Sequence, residues 1–264
     1  MYIEIRGNLK ASSLYEHRRT LRYLQEHFGP ERLIGCITPL DARKFVAWFR
    51  KRKTKGHPLA PGTVNKIIRE CRWIFREAVD CELIYRNPFA GIRQEKIGQA
   101  DWYYVSPVEY NRLILACPSL RWQGMITVAY CCGLRRDELL NLTWSDIDFE
   151  KERLRVVRKR AAVGKAEWTP KDKDVRILPL SAEILTELTE LHSAADEGQV
   201  YVFVNSKGPA RCGRVKKQNV WRDFQAIRIK AGLPEFSLRD MRKSYCTNMA
   251  EVRETCKIAF VTSA

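Results

Sequence analysis

Histidine is scarce in this chain: His17, His27, His57 and His192 are the only four in 264 residues, and they lie far apart. Cysteine is present nine times, an odd count with no C-x-x-C pair. A disulfide framework or a zinc site needs spacings that are missing here, so a reducing compartment is expected. The neighbours Cys131 and Cys132 read as small buried residues. No apolar run approaches a membrane span and no signal peptide opens the chain, which points to a soluble, cytoplasmic protein. There is no repeat and no low-complexity tract. Acidic residues are also in short supply, 31 Asp and Glu against 47 Lys and Arg, for a net charge of +16 and a pI near 9.6.

That imbalance points to a polyanionic partner, with nucleic acid first in line and a merely solubilising surface as the plain alternative. The charge is uneven. Residues 1–100 hold 20 basic and 10 acidic residues, net +10, and residues 101–264 hold 27 and 21, net +6. The length allows one large domain or two ordinary ones, and 45% hydrophobic residues support a packed core.

The first ninety residues read as helices. Leu14, Leu21, Leu24 and Phe28 share one side of a helix over 12–28, which Gly29-Pro30 stops. Thr38-Pro39 is an N-cap followed by proline at the first helical position, opening a helix through Phe45, Trp48 and Phe49. A basic loop follows, with Arg50, Lys51, Arg52, Lys53 and Lys55 as candidate DNA-binding residues. A third helix starts at Ala60-Pro61-Gly62-Thr63 and carries Ile67, Ile68, Trp73, Ile74, Phe75 and Ala78, with Asn87-Pro88 as its stop. A helical bundle with solvated lysines and arginines is the bland account of this region.

Beyond residue 105 the pattern is mixed. Ser106-Pro107-Val108-Glu109 is a capping box, and a second helix runs through Met125 to Cys132. Leu154, Val156 and Val157 among arginines read as a strand, as does Val175 to Leu178. Ser181 caps a helix with Leu185, Leu188 and Leu191. Tyr201 to Val204 fits either class, and helical spacing returns from Gly213 to Ala231.

The most specific signal is Gly133 to Asp148, GLRRDELLNLTWSDID. A helix over 134–142 would put Arg135, Leu139 and Leu142 on one face, so an arginine opens the stripe aimed into the fold. There it needs an anion: Glu138 at i+3 in a structural reading, a ligand in a functional one. Two more boxes follow. One is Lys171-Asp172-Lys173-Asp174-Val175-Arg176-Ile177-Leu178-Pro179-Leu180. The other is Arg239-Asp240-Met241-Arg242-Lys243-Ser244-Tyr245.

In order and spacing these boxes resemble the tyrosine recombinases, the phage-integrase family. The resemblance implies a mainly α fold in two domains. A helical core-binding, DNA-clamping bundle (1–92) and a linker (93–104) would precede a mainly helical catalytic domain with a small antiparallel sheet (105–264). It implies Arg135, Arg239 and Arg242 as catalytic residues, Arg239 standing where histidine is usual, and Lys171 as the catalytic lysine with Lys173 as runner-up. Glu138 is a supporting residue. The chemistry suits these types. Forked guanidiniums match the non-bridging oxygens of a phosphodiester, and a lysine of lowered pKa can protonate the leaving 5′ oxygen. A guanidinium at Arg239 keeps a hydrogen bond but cannot act as a base.

The activity implied is site-specific recombination through a 3′-phosphotyrosyl intermediate, without metal or other cofactor. The partner is double-stranded DNA, with self-association upon it. In the family a tyrosine follows the third box, and its spacing places it about ten residues past Ala264. Tyr245 matches a packing aromatic instead. The chain is therefore expected to be incomplete at its C-terminus and to form no covalent adduct in cis. The rivals are a catalytically inactive DNA-binding fragment of an integrase and a type IB topoisomerase-like enzyme, the latter disfavoured by the core-binding layout.

Overall fold

The structure, a computed structural model, describes residues 11–54, 56–98, 101–162, 167–171, 175–205, 213, 215 and 217–262. It is mainly helical and divides into two compact units, Met1–Ala100 and Asp101–Ala264. Among the described residues no helix is long and apolar enough to cross a membrane.

The first unit packs helices α1 (Ala11–Phe28), α2 (Pro39–Arg50) and α3 (Pro61–Asp80) around Phe45, Phe49, Ile67, Ile68, Phe75 and Phe89. Thr38 caps α2 as its sequence demands: its hydroxyl accepts from the Asp41 amide, and the Asp41 carboxylate accepts from the Thr38 amide at 3.0 Å. The basic loop is more ordered than its composition suggests. It holds a short hairpin, β1 (Lys53–Thr54) against β2 (His57–Pro58). Helix α3 stops at Asp80 rather than running on to Asn87-Pro88. Glu82 takes a left-handed φ of 58°, and the amides of Leu83 and Ile84 turn back to donate to the Ala78 carbonyl. That closure satisfies the last carbonyls of the helix without any glycine. The chain then lies back along α3. The Arg72 guanidinium donates to the Phe89 and Ile92 carbonyls, and buried Asn65 exchanges hydrogen bonds of 2.8 Å with the backbone of Glu95.

In the second unit, α4 (Pro107–Ala116) carries the Ser106–Glu109 capping box. Helix α5 (Leu120–Cys131) is buried from Gly124 through Tyr130, as a helix with no polar face must be. A single turn, α6 (Arg136–Leu139), leads to the antiparallel sheet β3 (Ile147–Asp148), β4 (Arg153–Val156) and β5 (Arg176–Pro179). Leu154 and Val156 face the core while Arg153 and Arg155 face out, the period-2 alternation of a half-buried sheet. Leu154 pairs with Leu178 and Val156 with Arg176. Helices α7 (Ala182–Ser193), α8 (Lys217–Lys230) and α9 (Leu238–Thr262) complete the unit, with α7 and α9 packed on α5. The segment Tyr201 to Phe203, left open by its sequence, is buried and bridged to Thr143.

Candidate functional site

The site is built where α5 ends. Gly133 takes a φ of +59°, and the turn it allows sends Arg135 away in extended conformation. Arg135 is then the N-cap of α6, not the second residue of a helix over 134–142. Only residues 136–139 are helical. The Glu138 carboxylate explains the start of that turn, since it accepts from the Arg135 amide at 2.7 Å.

Glu138 is the centre of the arrangement. Its side chain is 2% exposed, and three guanidiniums surround it: Arg135 Nη1 at 3.1 Å, Arg176 Nη2 at 2.6 Å and Arg242 Nη1 at 3.8 Å. The i, i+3 pair anticipated as the structural account of Arg135 is therefore real, and it is one spoke of a larger cluster. Arg242 comes from α9, where it also donates to the Gly133 carbonyl. Burial, then the neighbouring Arg135, lowers its guanidinium pKa, against the pull of Glu138.

The other sequence candidates are not among the ion-pair partners of Glu138 in the described residues. Arg239 is exposed one helical turn before Arg242, and its guanidinium has no partner among the described residues. Lys171 is exposed and makes no ion pair among the described residues. Lys173 and Lys55 lie outside the described residues. In the basic run, Arg50 pairs with Glu95 and Arg52 with Glu26, each at 2.6 Å, and Arg52 also sits about 5 Å from the Tyr23 and Trp48 ring centres. Lys51 and Lys53 are exposed and make no ion pair among the described residues.

Two features escaped the sequence reading. Arg176 was visible as the arginine of the second box, but nothing in the spacing tied it to Glu138. The second is a buried ion pair, Lys159 with Asp146, side chains 3% and 4% exposed. Lys159 stands in the run Val157-Arg158-Lys159-Arg160, which carries no signal that one of its cations turns inward. The pair and Glu138 line the same small pocket of about 10 Å³, together with Asn141 and Trp168.

Tyr245 lies against Gly133, where a Cβ would overlap its ring. It is half-buried, and burial is the main cause of its raised hydroxyl pKa. Those are the marks of a packing aromatic. Burial likewise pushes the Cys131 and Cys132 thiols up to about 11 and about 12, which keeps them protonated. Gly133→Ala is expected to cost about 2 kcal/mol, from left-handed strain plus overlap with the ring. Urea unfolding checks it, and a midpoint matching wild type would mean that α9 shifts freely at this contact.

The second unit thus gathers three guanidiniums around one buried carboxylate, in a helical domain with a small antiparallel sheet. The fold is similar to that of the Tn1549 transposon integrase in complex with a circular intermediate DNA, with a TM-score of 0.75 over 95% of this chain and 84% of that one at 20% identity. Residues 104–258 match the phage integrase family model, so the chain belongs to the phage integrase family, the tyrosine recombinases. It is 27% identical over 217 residues to a tyrosine recombinase XerC-like protein of Caldanaerobacter subterraneus subsp. tengcongensis, covering 72% of this chain. It is 26% identical over 251 residues to tyrosine recombinase XerA of Pyrococcus horikoshii, covering 95% of this chain. The chain spans 55% of the length of the first relative and 77% of the second.

Proposed function

We propose that this chain binds duplex DNA and serves site-specific recombination by strand breakage and rejoining. The observation that carries the reading is the cluster of Arg135, Arg176 and Arg242 around Glu138. In this reading Arg135 and Arg242 hold the non-bridging oxygens of the scissile phosphate. Arg239 stands in the first turn of α9, where a cation adds to the positive end of the helix and a bound phosphate relieves both. Lys171 is the candidate acid for the leaving 5′ oxygen. Tyr245 packs from α9 against Gly133, so the attacking hydroxyl is assigned to no residue of this chain. Residues 1–92 act as the DNA clamp and residues 105–264 as the catalytic part. Rejoining to a new end requires two duplexes held together, hence self-association on DNA.

The test is duplex binding by fluorescence anisotropy across a salt series. Affinity is expected to fall steeply with salt, as counterion release demands. Replacing Lys51 and Lys53 by Gln should each lower the slope of log K against log salt by about 1. Arg135→Ala and Arg242→Ala should weaken binding with the fold kept by circular dichroism. A flat salt dependence would sink the clamping role, and full affinity in both arginine variants would remove the phosphate site.

A further inference from the structure

Near its start the second unit has a segment without helix or strand, residues 102–105, in which every residue is engaged. Tyr103 stacks on Phe236 with ring centroids 5.2 Å apart and donates its hydroxyl proton to Glu109. Val105 is fully buried, and its carbonyl accepts from the Tyr130 hydroxyl at 3.1 Å. The remaining contacts go to α9. The Lys243 ammonium lies 5.3 Å from the centre of the Trp102 ring. The Tyr104 hydroxyl donates to Asn248 Oδ1 at 2.8 Å, and the Val105 amide donates to Ser244 Oγ at 2.9 Å.

Trp102 and Tyr104 each keep 39% exposure, so burial alone does not fix these rings; a cation–π contact and a hydrogen bond do. A helix turns by roughly 100° per residue, which puts Ser244 and Asn248 on the side of α9 away from Arg242. On its own side Arg242 donates to the Gly133 carbonyl and faces Glu138. Helix α9 is thus held from two sides, by the Gly133 turn and Glu138 in front and by residues 102–105 behind. Ser244 is fully buried and ties the rear contact to the helix backbone, since its hydroxyl also donates to the Asp240 carbonyl at 3.0 Å.

We infer that residues 102–105 are a strap that positions Arg242, by fixing the rotation of α9 about its own axis. The inference rests on the reading of Arg242 as a phosphate-holding residue. Side chains end about 6 Å from a helix axis, so a roll of about 10° moves their ends by about 1 Å. A displacement of that size is enough to spoil a directed contact to a phosphate oxygen. Tyr104, Val105 and Ser244 hold no phosphate themselves. They act through Arg242, from the opposite side of the helix that carries it.

The test is a double-mutant cycle on duplex affinity in the 264-residue chain, measured by fluorescence anisotropy at one low salt concentration. Tyr104→Phe/Ser244→Ala is expected to weaken duplex binding about fivefold where Arg242 is present and to change nothing in the Arg242→Ala chain. Equal losses in the two backgrounds would overturn the strap, because the residues would then act without Arg242. Full affinity in the background that keeps Arg242 would overturn it as well. Should Arg242→Ala alone leave affinity intact, the phosphate-site reading is what fails. The strap is then judged on the Arg242 Nε resonance, which Tyr104→Phe/Ser244→Ala is expected to shift; an unmoved signal counts against it. If the variant does not fold, hydrogen exchange in the wild type decides. The Val105 amide is expected to exchange at the rate of the α9 amides of residues 244–248, the two opening as one unit. A fast Val105 amide beside a protected α9 would show that the segment holds nothing in place.

Discussion

Glu138→Ala is expected to destabilise the second unit more than removal of any one arginine around it, by about 3–5 kcal/mol. The carboxylate is nearly fully buried, caps the Arg135 amide at 2.7 Å and faces three guanidiniums. Without it the three positive charges repel one another, and a helix start loses its acceptor. The arginines are partly exposed, so water screens some of that repulsion and the lower end of the range is the better expectation. Each arginine replaced singly leaves the carboxylate two cationic partners and should cost about 1 kcal/mol. Thermal unfolding in low-salt buffer is the measurement. Sulfate should raise the midpoint of Glu138→Ala more than that of wild type, because an anion then replaces the missing charge. Equal losses for Glu138→Ala and Arg176→Ala would show that Glu138 is no hub.

The second large effect is expected at the pair Lys159 and Asp146. Asp146 Oδ2 accepts from the Thr143 amide at 2.8 Å, from the Thr143 hydroxyl at 2.7 Å and from Lys159 Nζ. Lys159→Met leaves a buried carboxylate with the two threonine bonds, and Asp146→Asn takes the carboxylate from a buried ammonium that also donates to the Thr143 hydroxyl at 3.3 Å. Either change is expected to cost about 3–5 kcal/mol. The double variant Lys159→Met/Asp146→Asn buries no net charge and keeps an acceptor for Thr143, so its loss should fall well below the sum of the two. Denaturant unfolding of the four chains gives the coupling directly. Additive losses would mean that the two side chains do not depend on each other. The pair shares a pocket with Glu138, so Lys159→Met is also expected to weaken DNA binding in the salt series.

Local rules account for much of the molecule. Thr38-Pro39 and Ser106-Pro107 start helices because side chain and backbone satisfy each other within four residues, with no help from elsewhere. Leucine spacing gave α7, and alternation gave β4 and β5. The family boxes pointed to Arg135, Glu138 and Arg242, which the structure brings together. Sequence reasoning went astray where a distant group decides. Helix α3 ends at Asp80 because the chain turns back at Glu82, although no glycine or proline announces it. The stretch 134–142 has helical periodicity, yet a carboxylate that caps at Arg135 leaves only one regular turn.

What the sequence determined by itself was the family and the kind of fold. Net charge, periodicity and box order depend on residue identity and near neighbours, and these are written in the chain. Tertiary structure alone decided which cations answer to which anions. Of the basic run, Arg50 and Arg52 are tied to Glu95 and Glu26, leaving Lys51 and Lys53 exposed. Lys159 turns inward to Asp146 while Arg158 and Arg160 on either side stay out. Arg176 reaches Glu138 across 38 positions of chain, and Arg242 reaches it across 104. Charge acts through space and falls off with distance and with water between, so only the fold could make these three arginines one site.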